Sequence, residues 1–145
     1  MESTKKTVVI TGGTSGLGKA LKELYRRDGY NVCDLSRSCS DEANDEYTCD
    51  VTDEAQVSEV VDKIAAKYGR IDAVVNNAGM GILGATELIP TESIRRAFDV
   101  SYYGALTVTR ACLQYMLRGG RIAFICSIAS FLPVPFRSVY SSATA

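Results

Sequence analysis

Val8-Val9-Ile10-Thr11-Gly12-Gly13-Thr14-Ser15-Gly16-Leu17-Gly18 is the stretch that decides the fold of this chain. The β-branched run Val8-Val9-Ile10 reads as a short strand, and a glycine-rich turn follows it directly. From Lys19 to Asp28 the pattern becomes helical, with Ala20, Leu21 and Leu24 on one side and Lys22, Glu23, Arg26 and Arg27 on the other. A strand, a turn too tight for side chains and a helix opening on glycine make a diphosphate site. Unpaired amides at the helix start face the anion, and the helix dipole assists them. Gly12 permits the turn, Gly16 lets backbone approach a pyrophosphate, and Gly18 lets helix and strand pack closely.

Composition narrows the classes. With 145 residues, 46% of them hydrophobic, the chain is long enough for one sizeable core. Net charge is −1 and the 16 basic residues are scattered, so no stripe suits a nucleic-acid backbone. No apolar run is long enough to span a membrane. Met1-Glu2-Ser3-Thr4-Lys5-Lys6 lacks the apolar segment of a signal peptide. Five cysteines without CxxC spacing suit a reduced, cytoplasmic setting, and Cys33, Cys49 and Cys126 read as small buried hydrophobes. The absence of histidine excludes a zinc hydrolase or a Ser-His-Asp triad, and no metal is expected.

Beyond Gly29, Asn31–Leu35 reads as a second strand closed by Ser36-Arg37-Ser38. Asp34 within it is expected to face solvent at a sheet edge, its side chain leaving opposite to that of Ser36. Residues 39–46 suit a loop or one helical turn, and Tyr47-Thr48-Cys49 a third strand. Thr52 or Asp53 can cap a helix with Val57, Val60, Val61 and Ile64 as its apolar stripe, stopped by Gly69. Ile71–Val75 makes a fourth strand, with Asn76-Asn77-Ala78-Gly79 at its carboxyl end. Residues 80–90 form a loop, Thr91-Glu92-Ser93-Ile94 opens a helix, and a longer helix runs from about Asp99 to Leu117 with Leu106, Thr109, Leu113 and Met116 at helical spacing. Gly119-Gly120 breaks it before a fifth strand, Arg121–Cys126. Residues 127–136 form a loop, and Val139–Ala145 begins another helix. The alternation predicts an α/β fold of Rossmann type: a doubly wound parallel sheet in three αβα layers, in strand order 3-2-1-4-5 and truncated after the fifth strand. No repeat or boundary divides residues 1–145, which are read as a single, C-terminally incomplete NAD(P)-binding domain.

Taken in order, Thr11-Gly12-x-x-x-Gly16-x-Gly18, Asp50-Val51, Asn76-Asn77-Ala78-Gly79, and Ser127 thirteen residues before Tyr140 resemble the short-chain dehydrogenase/reductase family, over Lys6 to Ala145. The resemblance implies that the glycine loop, through Gly12, Thr14, Ser15, Gly16, Leu17 and Gly18, holds a cofactor diphosphate. It implies that Asp50 and the Val51 amide meet the adenine, and that Asn77, Ala78 and Gly79 steady the sheet near the cofactor. It further implies that Ser127 orients a substrate oxygen while Tyr140 exchanges a proton with it and hydride moves to or from nicotinamide. Members that select NAD carry an acid at the end of the second strand. Here that position is Ser36, followed by Arg37, and a guanidinium fork suits a 2′-phosphate, so NADP(H) is expected over NAD(H).

Three departures bear on activity. The family's Tyr-x-x-x-Lys reads Tyr140-Ser141-Ser142-Ala143-Thr144, so the cation that favours the tyrosinate and clamps the nicotinamide ribose is replaced by Thr144. Ser101 stands where many members carry a helix-bending asparagine that anchors a relay water. The chain is also shorter than members that include a complete tyrosine helix, two further strands and a substrate loop. Two functions follow: a short-chain NADP(H)-dependent alcohol/carbonyl oxidoreductase, inactive or very weak as these 145 residues, or a non-catalytic nucleotide-binding or oligomer-forming fragment. Bland roles stand beside the sharp ones. Asn77 can bridge strands instead of touching cofactor, Arg37 can be an ordinary exposed arginine, and residues 132–136 can line substrate or merely pack a loop. The Asp99–Leu117 helix can be core or, as in the family, an interface between copies. The exposed fifth strand offers a second surface for self-association.

Overall fold

The structure, a computed structural model, describes residues 5–145. The leader reading of the N-terminus falls mainly on residues 1–4, which lie outside the described residues. Five strands form one parallel sheet in the order β3-β2-β1-β4-β5: β1 Thr7–Thr11, β2 Asn31–Ser36, β3 Glu46–Thr48, β4 Ile71–Asn76 and β5 Met116–Phe124. The strand alternation sorts side chains to two cores. Val9, Cys33 and Val74 meet the stripe Val57, Val61 and Ile64 of α2 (Glu54–Tyr68) and Val108 and Cys112 of α4 (Gly104–Leu113). Val8, Ile10, Val32 and Val75 meet Leu21 and Tyr25 of α1 (Gly16–Arg27) on the opposite face. Strands β1, β2 and β4 are therefore covered on both sides, which is why apolar residues run consecutively in Val8-Val9-Ile10 and Ala73-Val74-Val75. A third cluster packs Ala97 of α3 (Thr91–Phe98) against Val139 and Ala143 of α5 (Ser138–Ala143). Among the described residues no helix is long and apolar enough to cross a membrane.

Several local expectations change. Asp53, not Thr52, caps α2, its Oδ1 accepting from the Ala55 and Gln56 amides; Thr52 turns its hydroxyl to Asp50. The helix expected to reach Leu117 ends at Leu113, because the Ile71 amide captures the Tyr115 carbonyl and draws the chain into the sheet. Gly119-Gly120 consequently lies inside β5, at an irregularity in its pairing with β4. Thr109 of the expected stripe is buried, but Leu106 and Leu113 are exposed; the core side of α4 is Val108 and Cys112. Cys126 is exposed, a correction with a simple cause: it follows β5, the outermost strand, whose outward side is uncovered among the described residues.

The largest correction concerns Asp34 and Lys22. Asp34 does not face solvent at an edge; it is 0% exposed, in a strand flanked by β1 and β3. Its side chain leaves on the same side as that of Ser36, as residues two apart on a strand must, and the Ser36 hydroxyl donates to it at 2.7 Å. Lys22, on the polar side of the α1 pattern, is only 7% exposed, whereas Leu24 on the apolar side is 41% exposed. A buried ion pair explains the exchange: Lys22 Nζ lies 3.0 Å from Asp34 Oδ2 and 3.0 Å from Glu46 Oε1. Burial works to lower the Lys22 pKa, but the two carboxylates outweigh it and hold the ammonium above its ordinary range.

Candidate functional site

Strand order reverses between β1 and β4, and outside the carboxyl ends of the strands at such a point a parallel sheet offers a crevice. Gly12 turns the chain out of β1 with φ +71°, its amide donating to the Leu35 carbonyl at 3.0 Å. A Cβ on Gly18 would collide with the Gly12 carbonyl and the Asn77 amide, so this glycine is what allows α1 to sit against the strand end. Gly16 differs: at φ +52° it has nothing within 4 Å of where a Cβ would stand. That open space, beside a helix start at which the Ser15 side chain makes no capping bond, leaves backbone amides free for an anion. The loop thus fits a dinucleotide diphosphate.

Two cavities share Asn77, Ala78 and Gly79 as a common wall. One, about 490 Å³, is bounded by Gly12, Thr14 and Ser15 from the loop, Ser36, Arg37 and Ser38 from the end of β2, and Asp50 and Val51. Arg37 is exposed on its rim and has no carboxylate partner among the described residues. Ser36 is buried, its oxygen accepting from the Gly13 amide at 3.1 Å while its hydrogen goes to Asp34. Asp50 accepts from the Thr52 amide and hydroxyl and from Arg96 of α3 at 3.3 Å. Burial alone would raise the Asp50 pKa; these bonds outweigh it and hold the carboxyl below its ordinary value. Asn77 has the bridging geometry: its side-chain amide donates to the Thr11 and Gly12 carbonyls at 3.1 Å each, tying β4 to the glycine loop. Thr11 completes the tie by accepting from the Asn77 and Ala78 amides.

The second cavity, about 670 Å³, brings Leu17, Ser101, Tyr140 and Thr144 to one wall with Asn77, Ala78 and Gly79. Ser101 lies in a π-helical turn, Asp99–Tyr103, that joins α3 to α4, so the helix is locally widened with serine at this position. Its oxygen accepts from the Met80 amide at 3.2 Å, leaving its hydrogen available. Ser127 is not among the lining residues; its oxygen accepts from the Ala129 amide at 3.2 Å and caps a short 3₁₀ turn. Thr144 spends its hydroxyl on the Tyr140 carbonyl at 2.9 Å and meets Ser130 at 3.1 Å. The cation that the motif lacks at 144 has a neighbour elsewhere: the Arg137 guanidinium stands 5.5 Å above the Tyr140 ring. Arg137, Arg96 and the Lys22–Asp34 pair escaped the sequence reading. Arg96 and Asp50 meet through tertiary packing, and nothing in local pattern links them. For Arg137, the signal was its place one helical turn before Tyr140.

Fold and loop together define a Rossmann-type nucleotide-binding α/β protein. The family model described as short chain dehydrogenase matches residues 6–145, and the chain belongs to that family. It is 36% identical over 151 residues, 98% of its length, to an uncharacterised oxidoreductase of Schizosaccharomyces pombe, of which it covers 51%. Among solved structures it resembles the ligand-free aldohexose dehydrogenase of Thermoplasma acidophilum at 31% identity and a TM-score of 0.91, covering 97% of this chain and 56% of that one. It also resembles ElxO with NADP bound, at 33% identity and a TM-score of 0.88, covering 97% of this chain and 62% of that one. The chain spans about half the length of the S. pombe relative.

Proposed function

We propose that this chain binds NADP(H) in preference to NAD(H), as the cofactor-holding part of an alcohol/carbonyl oxidoreductase. The observation that carries the reading is Arg37, exposed on the cleft rim beside Thr14 and Ser38, where the strand-end residue is Ser36 and not an acid. The NADP-bound state of ElxO supports it. Gly12, Gly16 and Gly18 shape the diphosphate loop, Thr14, Ser15 and Leu17 flank it, Asp50 and Val51 meet the adenine side, and Asn77, Ala78 and Gly79 form the wall between the two cavities. Titration of the purified chain should show tighter binding of NADPH than of NADH. Arg37→Ala should weaken NADPH roughly tenfold or more and leave NADH nearly unchanged. Equal or tighter NADH binding by the unaltered chain would overturn the assignment.

Bound nicotinamide supplies or accepts the hydride. Tyr140 carries the proton to or from the substrate oxygen, and Ser101 keeps a hydroxyl hydrogen for a relay water. Ser127 also keeps its hydroxyl hydrogen, and its role of holding that oxygen rests on its position in the family motif, since it lies outside the lining of the Tyr140 cavity. Thr144 brings no charge, and its hydroxyl is directed to the backbone. On that ground the 145 residues turn over weakly or not at all, and NADPH oxidation across a panel of small ketones should stay at background. Robust turnover by this chain would refute that statement. The same observation favours the second reading, a nucleotide-binding or oligomer-forming piece without catalysis, with self-association through Leu106 and Leu113 of α4 and the uncovered side of β5.

A further inference from the structure

A diphosphate loop works only if its backbone is held in one shape before the anion arrives. Packing supplies part of that here, through Gly18 against Gly12 and Asn77. A second restraint comes from inside the sheet. The Gly13 amide, in the middle of the loop, points away from the crevice and donates to Asp34 Oδ1 at 2.9 Å and to Ser36 Oγ at 3.1 Å. The fit is close enough that a Cβ on Gly13 would lie 2.5 Å from Asp34 Oδ2. Asp34 is wholly buried, and a carboxylate in that position persists only with a counter-charge and satisfied lone pairs. Lys22 provides the charge from α1, the helix whose first turn borders the crevice, and Glu46 of β3 shares the ammonium while Arg26 of α1 reaches Glu46 at 3.3 Å.

Resting on the nucleotide-site reading above, we infer that Asp34 and Lys22 are positioning residues for the cofactor: the Asp34 side chain, as acceptor for the Gly13 amide, clamps the glycine loop from β2, and Lys22 holds that side chain in place from α1. The clamp also takes the hydrogen and one lone pair of the Ser36 hydroxyl, which donates to Asp34 while accepting from Gly13. Because the diphosphate is common to both nicotinamide dinucleotides, loss of the clamp weakens both alike. Arg37→Ala, by contrast, acts on one.

The test combines amide exchange with binding. In the unaltered chain the Gly13 amide should exchange slowly; fast exchange in the folded chain overturns the clamp whether or not any nucleotide binds. The charge-neutral double variant Lys22→Met/Asp34→Ala should lose that protection and bind NADPH and NADH roughly ten- to a hundredfold more weakly, by similar factors, at a temperature where circular dichroism shows it folded. Asp34→Asn, which keeps an acceptor for Gly13, should retain the protection and most of the affinity; this variant carries the test if the double variant does not fold. Unchanged affinity in the folded double variant, or an Asp34→Asn that loses affinity while keeping Gly13 protected, overturns the inference. If the unaltered chain binds neither nucleotide, the nucleotide-site reading falls and takes the inference with it. Binding by the unaltered chain that is insensitive to these substitutions removes the inference alone.

Discussion

An ammonium and a carboxylate buried between helix and sheet are a liability unless each answers the other, and the Lys22–Asp34–Glu46 cluster shows how closely they must. Lys22→Met leaves Asp34 buried without its counter-charge and should cost about 3–5 kcal/mol of folding stability. The pH dependence has two limbs. The hydrogen bond from Lys22 chiefly holds the Glu46 pKa below the ordinary 4.5, so the stability Glu46 contributes is present above that value and fades as pH falls through its lower folded pKa. The Lys22 pKa is raised above 10.5, so its contribution is complete below that value and is lost as pH rises through the higher folded pKa. Thermal melts across pH should therefore show a broad neutral plateau with a fall at each end. In Lys22→Met the plateau should be lower and the alkaline fall shallower. An unchanged alkaline limb would contradict the assignment.

At the level of elements, two glycines of one motif are required for different reasons. Gly18 is a packing residue, since a methyl there strikes the Gly12 carbonyl and the Asn77 side chain. Gly16 is a space-keeping residue, with a left-handed φ and nothing near its absent Cβ. Gly18→Ala should overpack the α1–β1 junction and destabilise the fold by about 1–3 kcal/mol, read as a lowered urea midpoint. Gly16→Ala should cost about 1–2 kcal/mol from its φ alone, yet abolish nucleotide binding by filling the cradle. If Gly16→Ala binds NADPH as the unaltered chain does, the anion does not sit where the loop opens. The alternation of strand and helix was legible because each element carries its own period: Val57, Val60, Val61 and Ile64 lie on one helix face whatever surrounds them. The end of α4 was not legible, because a hydrogen bond from Ile71, more than forty residues upstream, decides where the chain leaves the helix.

For the molecule as a whole, the sheet is asymmetric. Among the described residues its β2, β1 and β4 strands are largely buried, whereas β5 is exposed along most of its length; Ile122, Phe124 and Ile125 present apolar surface there, as does Leu113 of α4. An uncovered strand edge with apolar neighbours pairs with whatever strand or face is offered. Light scattering after size-exclusion chromatography should show a mass that rises with concentration, and Leu113→Lys combined with Ile122→Lys should reduce the rise. A monomer mass at every concentration in the unaltered chain would dismiss the self-association reading.

The residues by themselves determined the glycine loop, the parallel strand order and the family, because these follow from local periodicity and from glycines whose spacing has few other uses. They also set Tyr140 and Thr144 four residues apart, and both meet the same cavity, although α5 ends at Ala143 and Thr144 is its non-helical cap and not part of the expected 139–145 helix. Only the tertiary structure decided that Asp34 is buried, that Lys22 turns inward from a polar helix face, that Ser36 faces its own strand neighbour, and that Cys126 is exposed. Each of these depends on what lies opposite. A charged side chain is buried only when a partner from another element meets it, and an apolar one is exposed wherever no element covers it.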